Sequence, residues 1–254
     1  MLKGILSRHA KIIKERDGSK LVQIYISKSG DFTSITDALA SIKDNGSKKK
    51  YILHISNGIY ENEGGSNGFG IELKHFVDIK GESREGVIIS GAMAPGDRES
   101  QRKYSTIHKP AHCSIENLTI YTPNNKYGIH ADTGSPSNYN LKVKNCVIHN
   151  DGGYDGFDVG IGIYFNQSIS FENCQFKGKG IFIHNASSIK NGKKNNFYSF
   201  SCVESEMSNF HFSEYISCNP GKILLSKNKI DKITHDKIPG TIAGNIDYKA
   251  QMIN

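Results

Sequence analysis

The sequence predicts an all-β fold in which short strands coil into a parallel β-helix. Three observations carry that prediction. Cys146, Cys174 and Cys202 stand 28 residues apart, Leu118 lies one step earlier, and Asn117, Asn145 and Asn173 keep the same interval, with Ser201 in the next place. Each repeat alternates apolar and polar residues before reaching a turn-favouring Asn, which is strand chemistry of period two. No helical pattern intervenes, and a period of 20–50 residues built from strands alone describes a solenoid.

Composition narrows the class. The chain has 254 residues and 37% hydrophobic side chains, too many and too evenly spread for disorder. No run approaches the roughly 18 apolar residues that a membrane helix needs. The opening MLKGILSRHAKIIKER is broken by charges too often for a signal-peptide core, so no classical export signal is expected. The net charge of +7 favours polyanionic partners. Only five residues are Arg, none beyond Arg102, and no Arg-plus-aromatic stripe of a nucleic-acid reader is present. Lys48-Lys49-Lys50 reads as a solvated loop. The five cysteines include no CxxC pair and no zinc spacing, so they read as core filler stacked with Leu118. No metal and no cofactor are expected.

Taken in order, residues 1–20 are a cap or linker, 21–230 the β-helix, and 231–254 a terminal cap or subunit contact. Within SGDFTSITDALASI (29–42), Phe32, Ile35, Ala38, Leu39 and Ile42 share one helical face, which predicts a capping helix near 34–43. KKYILHISNGIYENE (49–63) reads as strand, Asn-Gly turn and strand, and IELKHFVDIKGE (71–82) and GVIISG (86–91) follow. The repeat then runs through CSIENLTIY (113–121), NLKVKNCVIHN (140–150), SISFENCQFKG (168–178), FYSFSCVESEM (197–207) and KILLSKNKID (222–231). A second strand family is interleaved: YGIHAD (127–132), GIGIYFNQ (160–167), KGIFIHN (179–185) and NFHFSEY (209–215). The tail from 231 loses the repeat.

The strings SGDFTSITDALASI, YILHISNGIY and IKGESREGVIISG resemble the opening of pectin methylesterases and related proteins of the pectin lyase-like fold. The resemblance implies that the β-helix is single-stranded and right-handed, with the helix covering its end. It also implies an esterase mechanism that uses two Asp residues and an Arg. Here the sequence departs from the family. No Arg follows Arg102, no Trp exists, and the Glu expected after Gly58-Ile59-Tyr60 is Asn62. The esterase mechanism therefore does not carry over. The order YGIHADTGS, NLKVKNCVIHN, GIGIYFNQSISFENCQF, GIFIHNAS resembles β-helix proteins of phage and prophage tails, among them tail fibres and tailspikes that recognise or cut host surface polysaccharide. That resemblance implies a virion tail or extracellular surface location, assembly in the host cytoplasm, and other tail proteins as partners. A trimer is the oligomer expected of a tailspike, although no coiled-coil heptads accompany it.

Candidate site residues come from the second strand family. His130 with Asp132, Tyr164 with Asn166, and His184 with Asn185 fall at comparable places in successive turns, so their side chains could share one outer groove suited to sugar hydroxyls. The other reading is an ordinary polar face. The Gly-rich loop NDGGYDGFDVG (150–160) supplies Asp151, Asp155 and Asp158 as an acid/base pair or a solvated loop, and His149 stands beside it. These residues predict a protein directed at host cell-surface or cell-wall polysaccharide, with an anionic polymer compatible with the charge. A carbohydrate esterase, lyase or hydrolase using Asp155, Asp158, His130 or Asp132 is the alternative, and an architectural fibre segment is the third. Neither nucleic acid nor membrane is expected as a partner.

Overall fold

The computed structural model describes residues 11–14, 18–64, 70–91, 105–109, 111–123, 125–131, 139–151, 156–162, 167–184, 198–212, 222–235 and 247–249. Its strands stack into two long sheets. The ten-stranded sheet takes β1 (Lys11–Lys14), β2 (Lys20–Ile26), β3 (Lys49–Ile55), β6 (Val77–Gly81), β9 (Cys113–Glu116), β12 (Asn140–Lys144), β15 (Gln167–Glu172), β18 (Tyr198–Val203), β20 (Lys222–Ser226) and β22 (Asp247–Lys249), in that spatial order. Every neighbouring pair is parallel except β1 on β2. In the twelve-stranded sheet, β4 (Gly58–Glu63), β7 (Val87–Gly91), β10 (Thr119–Thr122), β13 (Val147–Asn150) and β16 (Gln175–Phe176) form one ladder. A second ladder comprises β5 (Ile71–Glu72), β8 (Ser105–Lys109), β11 (Tyr127–His130), β14 (Phe157–Gly162) and β17 (Ile181–His184). Strand neighbours that are a full turn apart in sequence are what a parallel β-helix requires, and the predicted fold is the one found.

The two ladders fuse at β19 (Glu206–Phe212), which pairs with β16 through Glu206 and Met207 and with β17 through Phe210 to Phe212. The cause is a shrinking corner. From Ile148 to Val159 the chain takes 11 residues, from Phe176 to Ile181 five, and from Met207 to Phe210 three. At three residues this corner is gone, and β19 runs straight through. The next strand, β21 (Lys229–His235), follows it along its length, and β22 pairs with β20. The ladder thus continues beyond residue 230, where the sequence pattern fades.

Alternation puts one side of each strand inside. Ile24, Leu53, Ile79, Ile115, Val143, Phe171, Cys202 and Leu225 stack in register through successive turns, all buried. Facing them are two further stacks, Ile89–Ile120–Ile148–Phe176–Met207 and Ile107–Ile129–Val159–Ile181–Phe210. Stacked branched and aromatic side chains at rungs about 4.8 Å apart fill such a core without gaps.

Helix α1 (Ile35–Ser41) lies where the sequence placed it. Ser34 caps its N-terminus, accepting the Asp37 N–H at 3.2 Å, and Ile35, Ala38, Leu39 and Ile42 are buried, with Phe32 against them.

The Asn ladder is present for three turns. Asn117, Asn145 and Asn173 have φ of 60°, 51° and 51°, the left-handed conformation that Asn tolerates better than other non-glycine residues. The Asn145 side-chain amide donates to Asn117 Oδ1 at 2.7 Å, and that of Asn173 donates to Asn145 Oδ1 at 2.9 Å. The next turn corrects the expected stack. Ser201 and Cys202 lie within β18, in register with Ser170 and Phe171, so neither continues the Asn or Cys columns. The bend passes instead to Glu204 and Lys227, with φ of 52° and 54°, joined by an ion pair of 3.0 Å. Behind them Ser205 succeeds Cys174, its hydroxyl accepting the Cys174 N–H at 3.0 Å, and Asn228 succeeds Ser205, accepting its N–H at 2.9 Å. Cys113, Cys146, Cys174 and Cys202 are free and buried, and burial pushes their thiols up, Cys174 to about 11 and Cys202 to about 12. Such thiols fill space and carry no reactive thiolate.

Asn145 holds the middle of the ladder, giving one amide bond and receiving another. Asn145→Ala should cost about 2–3 kcal/mol, from the left-handed bend and the two lost bonds. Asn145→Gly, which keeps the bend, should cost about 1 kcal/mol. Urea unfolding of the two variants checks the difference.

Candidate functional site

The second strand family does form one continuous outer face, but its register differs from the expected one. His130 pairs with Gly160, and Gly160 with Phe182, whereas His184 pairs with Gly162, two residues further along. His130 and His184 therefore stand in different columns. Asp132, Asp155, Tyr164, Asn166 and Asn185 lie outside the described residues. The column that runs through successive turns is His130–Gly160–Phe182–His211.

His130 is a wall residue. It is 8% exposed, its ring stacks on Tyr127 at 4.6 Å and 23°, and His108 of the preceding turn is 5.9 Å away. Gly160 leaves the space that the Tyr127 ring fills, since a β-carbon there would lie 2.4 Å from that ring. A general acid or base must touch solute, so burial removes His130 from that role.

Asp158 is corrected for a stronger reason. It is fully buried, and its carboxylate accepts the N–H groups of Asn150 at 2.9 Å, Gly178 at 2.9 Å and Gly180 at 2.8 Å. The first donor ends β13 and the other two lie in the corner of the next turn, so this side chain staples consecutive turns. Both glycines are required: a β-carbon on Gly178 would lie 2.6 Å from Asp158 Oδ1, and Gly180, with φ of 79°, has Asn209 O 1.9 Å from where one would sit. Burial pushes the Asp158 carboxyl up to about 7, against the three N–H groups that pull it down. A value near neutrality often marks a catalytic acid. Here no substrate can reach it, and the elevation follows from desolvation alone.

Three rings do stand at the surface of this face. Phe157, Phe182 and His211 are half-buried, with Phe157 and Phe182 stacked at 5.0 Å and 20°, Phe182 and His211 at 5.1 Å, and Phe157 and His211 at 6.2 Å. They come from β14, β17 and β19, so the cluster extends along the solenoid axis over three turns. The sequence carried the signal. In IFIH and NFHF the strand alternation puts Phe182 and His211 outward, and an aromatic residue in an outward slot is the anomaly that marks a contact surface.

Around the corner, on the neighbouring ladder, His149 belongs to a second polar group. Tyr121 and His149 are register partners in β10 and β13, with rings 5.5 Å apart. The Tyr121 hydroxyl donates to Asp151, whose other oxygen lies 3.2 Å from His149 Nε2. That hydrogen bond to a carboxylate raises the phenol above its ordinary range.

Neither a protein-family model nor a curated protein matches this chain. Among solved structures, a pectin methylesterase from Erwinia chrysanthemi is similar at 14% identity over 84% of this chain and 80% of that one, with a TM-score of 0.47. One from Aspergillus niger is similar at 12% identity over 86% and 91%, with a TM-score of 0.43, and one from carrot at 12% over 85% and 88%, with a TM-score of 0.35. These three neighbours are pectin methylesterases, and nothing about chemistry at individual residues follows from likeness at this level. Among the described residues Arg84 is the only arginine, and it pairs with its neighbour Glu85 at 2.6 Å. Among the same residues no group of three or more His, Cys, Asp or Glu is placed to hold a metal ion, and no helix is long and apolar enough to cross a membrane.

Proposed function

We propose that this protein binds a polysaccharide laid along the solenoid axis over the rings of Phe157, Phe182 and His211. The observation that carries the proposal is the axial ring cluster on an outer face, where aromatic faces have no role in the core. Sugar rings present C–H groups on one side that stack on such faces, while their hydroxyls seek the polar groups alongside. The net charge of +7 suits an anionic polymer. A glycan array of bacterial wall and capsule polymers tests the reading. Binding should appear for at least one polymer and fall about tenfold in Phe182→Ala, with a further loss when His211→Ala is added. Silence across the array, or full binding by the double variant, overturns it.

The finer assignment is a host-recognition component of a phage tail, supported by the likeness of the repeat to tail β-helix proteins. Mass spectrometry of purified particles from an induced host tests it, with recovery alongside tail proteins expected. A catalytic reading is favoured by one observation, the exposed Tyr121–Asp151–His149 group, in which a carboxylate orients an imidazole and a phenol as acid–base chemistry requires. Polysaccharide digests assayed for new reducing ends, unsaturated products or released acid decide it, and any activity should collapse in His149→Ala.

A further inference from the structure

A groove of about 540 Å³ opens on the outer face of the ten-stranded sheet, away from the aromatic cluster described above. It falls within the size range of small-ligand sites. Register places its walls. Phe76 sits one position before Val77, the partner of Tyr51, so Lys50 and Phe76 are neighbours in adjacent turns, and the Phe76 N–H donates to His112 O at 2.8 Å. Beside that row, Asp78 accepts the Ser114 N–H at 2.6 Å, and Ser114 is the partner of Lys142. The groove thus crosses β3, β6, β9 and β12, roughly 14 Å at the usual rung spacing.

Its chemistry is specific. Phe76 and His112 form an aromatic floor, with ring centroids 5.2 Å apart. Lys50 and Lys142 stand at the two ends as donors, and Asp78 and Glu116 lie between them as acceptors. Two cations and two carboxylates leave the lining without net charge, so it does not select for a charged ligand. Donors and acceptors set around an aromatic face fit a molecule whose every polar group both donates and accepts, which is what a sugar hydroxyl does. The apolar face of a pyranose supplies the stacking partner.

We propose that this groove is a binding site for a neutral oligosaccharide of two or three rings, stacked on Phe76 and held by Lys50, Asp78, Glu116 and Lys142. The site is on a different sheet from the Phe157–Phe182–His211 cluster, so either can fail without the other.

Titration of the isotope-labelled full chain with chitotriose and with maltotriose, followed by amide NMR, tests the proposal, with trigalacturonate as the charged comparison. Signals of residues 76–78, 112–116 and 140–142 should move with at least one neutral trisaccharide and less with the acidic one. Phe76 has φ of 61°, so Phe76→Gly relieves the backbone. A merely structural Phe76 would make that change neutral for binding. Under the proposal the variant keeps or raises its melting temperature and loses at least tenfold in affinity. Lys142→Ala, an exposed substitution that leaves the core untouched, should weaken binding about threefold. The proposal is overturned if neither neutral probe moves the groove signals, if trigalacturonate binds more tightly than both, or if the glycine and alanine variants bind as well as the parent.

Discussion

Asp158→Ala is expected to remove about 3–6 kcal/mol of folding stability at about pH 4 and less above neutrality. The size follows from the three backbone donors that this carboxylate accepts, those of Asn150, Gly178 and Gly180. An unsatisfied buried donor costs about 1–3 kcal/mol. The pH dependence follows from the raised carboxyl. Folded Asp158 titrates at about 7, while in the unfolded chain it titrates near the ordinary aspartate value of 3.8. Below the lower value both states are protonated and the contribution is fully present. As pH rises through the window, the unfolded chain releases its proton first, and the stabilisation declines until the folded carboxyl also ionises near 7. Over that interval the group loses about 4 kcal/mol of its contribution. Urea unfolding of parent and Asp158→Asn across this range checks the sign. The gap between them should narrow as pH rises, and a gap that widens would show that the N–H groups, not burial, control this carboxyl.

How far the sequence could be read depends on what marks each bend. The 28-residue interval was legible because Asn117, Asn145 and Asn173 mark three bends with the same residue at equal spacing in the chain. The next bend falls on Glu204 and the one after on Lys227, residue types that carry no bend signal. The column that runs through Cys174 therefore advances 31 residues to Ser205 and 23 to Asn228, while Cys202 keeps the interval of 28 by coincidence and belongs to another column. The outer face suffered from the same ambiguity on a smaller scale. A shift of two residues preserves inward and outward alternation, so sequence alone could not tell whether His130 faces His184 or Phe182. Only the ladder fixes it. Asp158 was hidden differently: its strand position is outward, and the corner of the following turn buries it, which no local pattern encodes.

Glu63→Ala is expected to cost about 3–5 kcal/mol and to free α1 from the solenoid end. Glu63 is 3% exposed, and its carboxylate accepts the N–H groups of Ile35 at 2.9 Å and Thr36 at 2.7 Å, together with the hydroxyls of Ser34 and Thr36. One acidic side chain from β4 thus satisfies the first turn of a helix whose buried face packs on β2 and β4. The arrangement also accounts for the Asn at position 62. Tyr60 pairs with Ile89 and Glu63 with Gly91, so β4 spends three residues where β7 spends two. Asn62 takes the extra place, with φ of 58°, and the β-bulge turns the next side chain inward. The carboxylate expected after Gly58-Ile59-Tyr60 is present, one residue later. Three variants separate the helix cap from general packing. Ser34→Ala should cost about 1 kcal/mol, because only a cap hydroxyl is lost. Asn62→Gly, which keeps the left-handed bulge, should be close to neutral. Glu63→Ala alone should bring the amide hydrogen exchange of Ala38 and Leu39 close to that of an unfolded segment while the exchange of β12 and β15 stays slow. Equal loosening of helix and ladder would mean that Glu63 supports the core as a whole and not the cap.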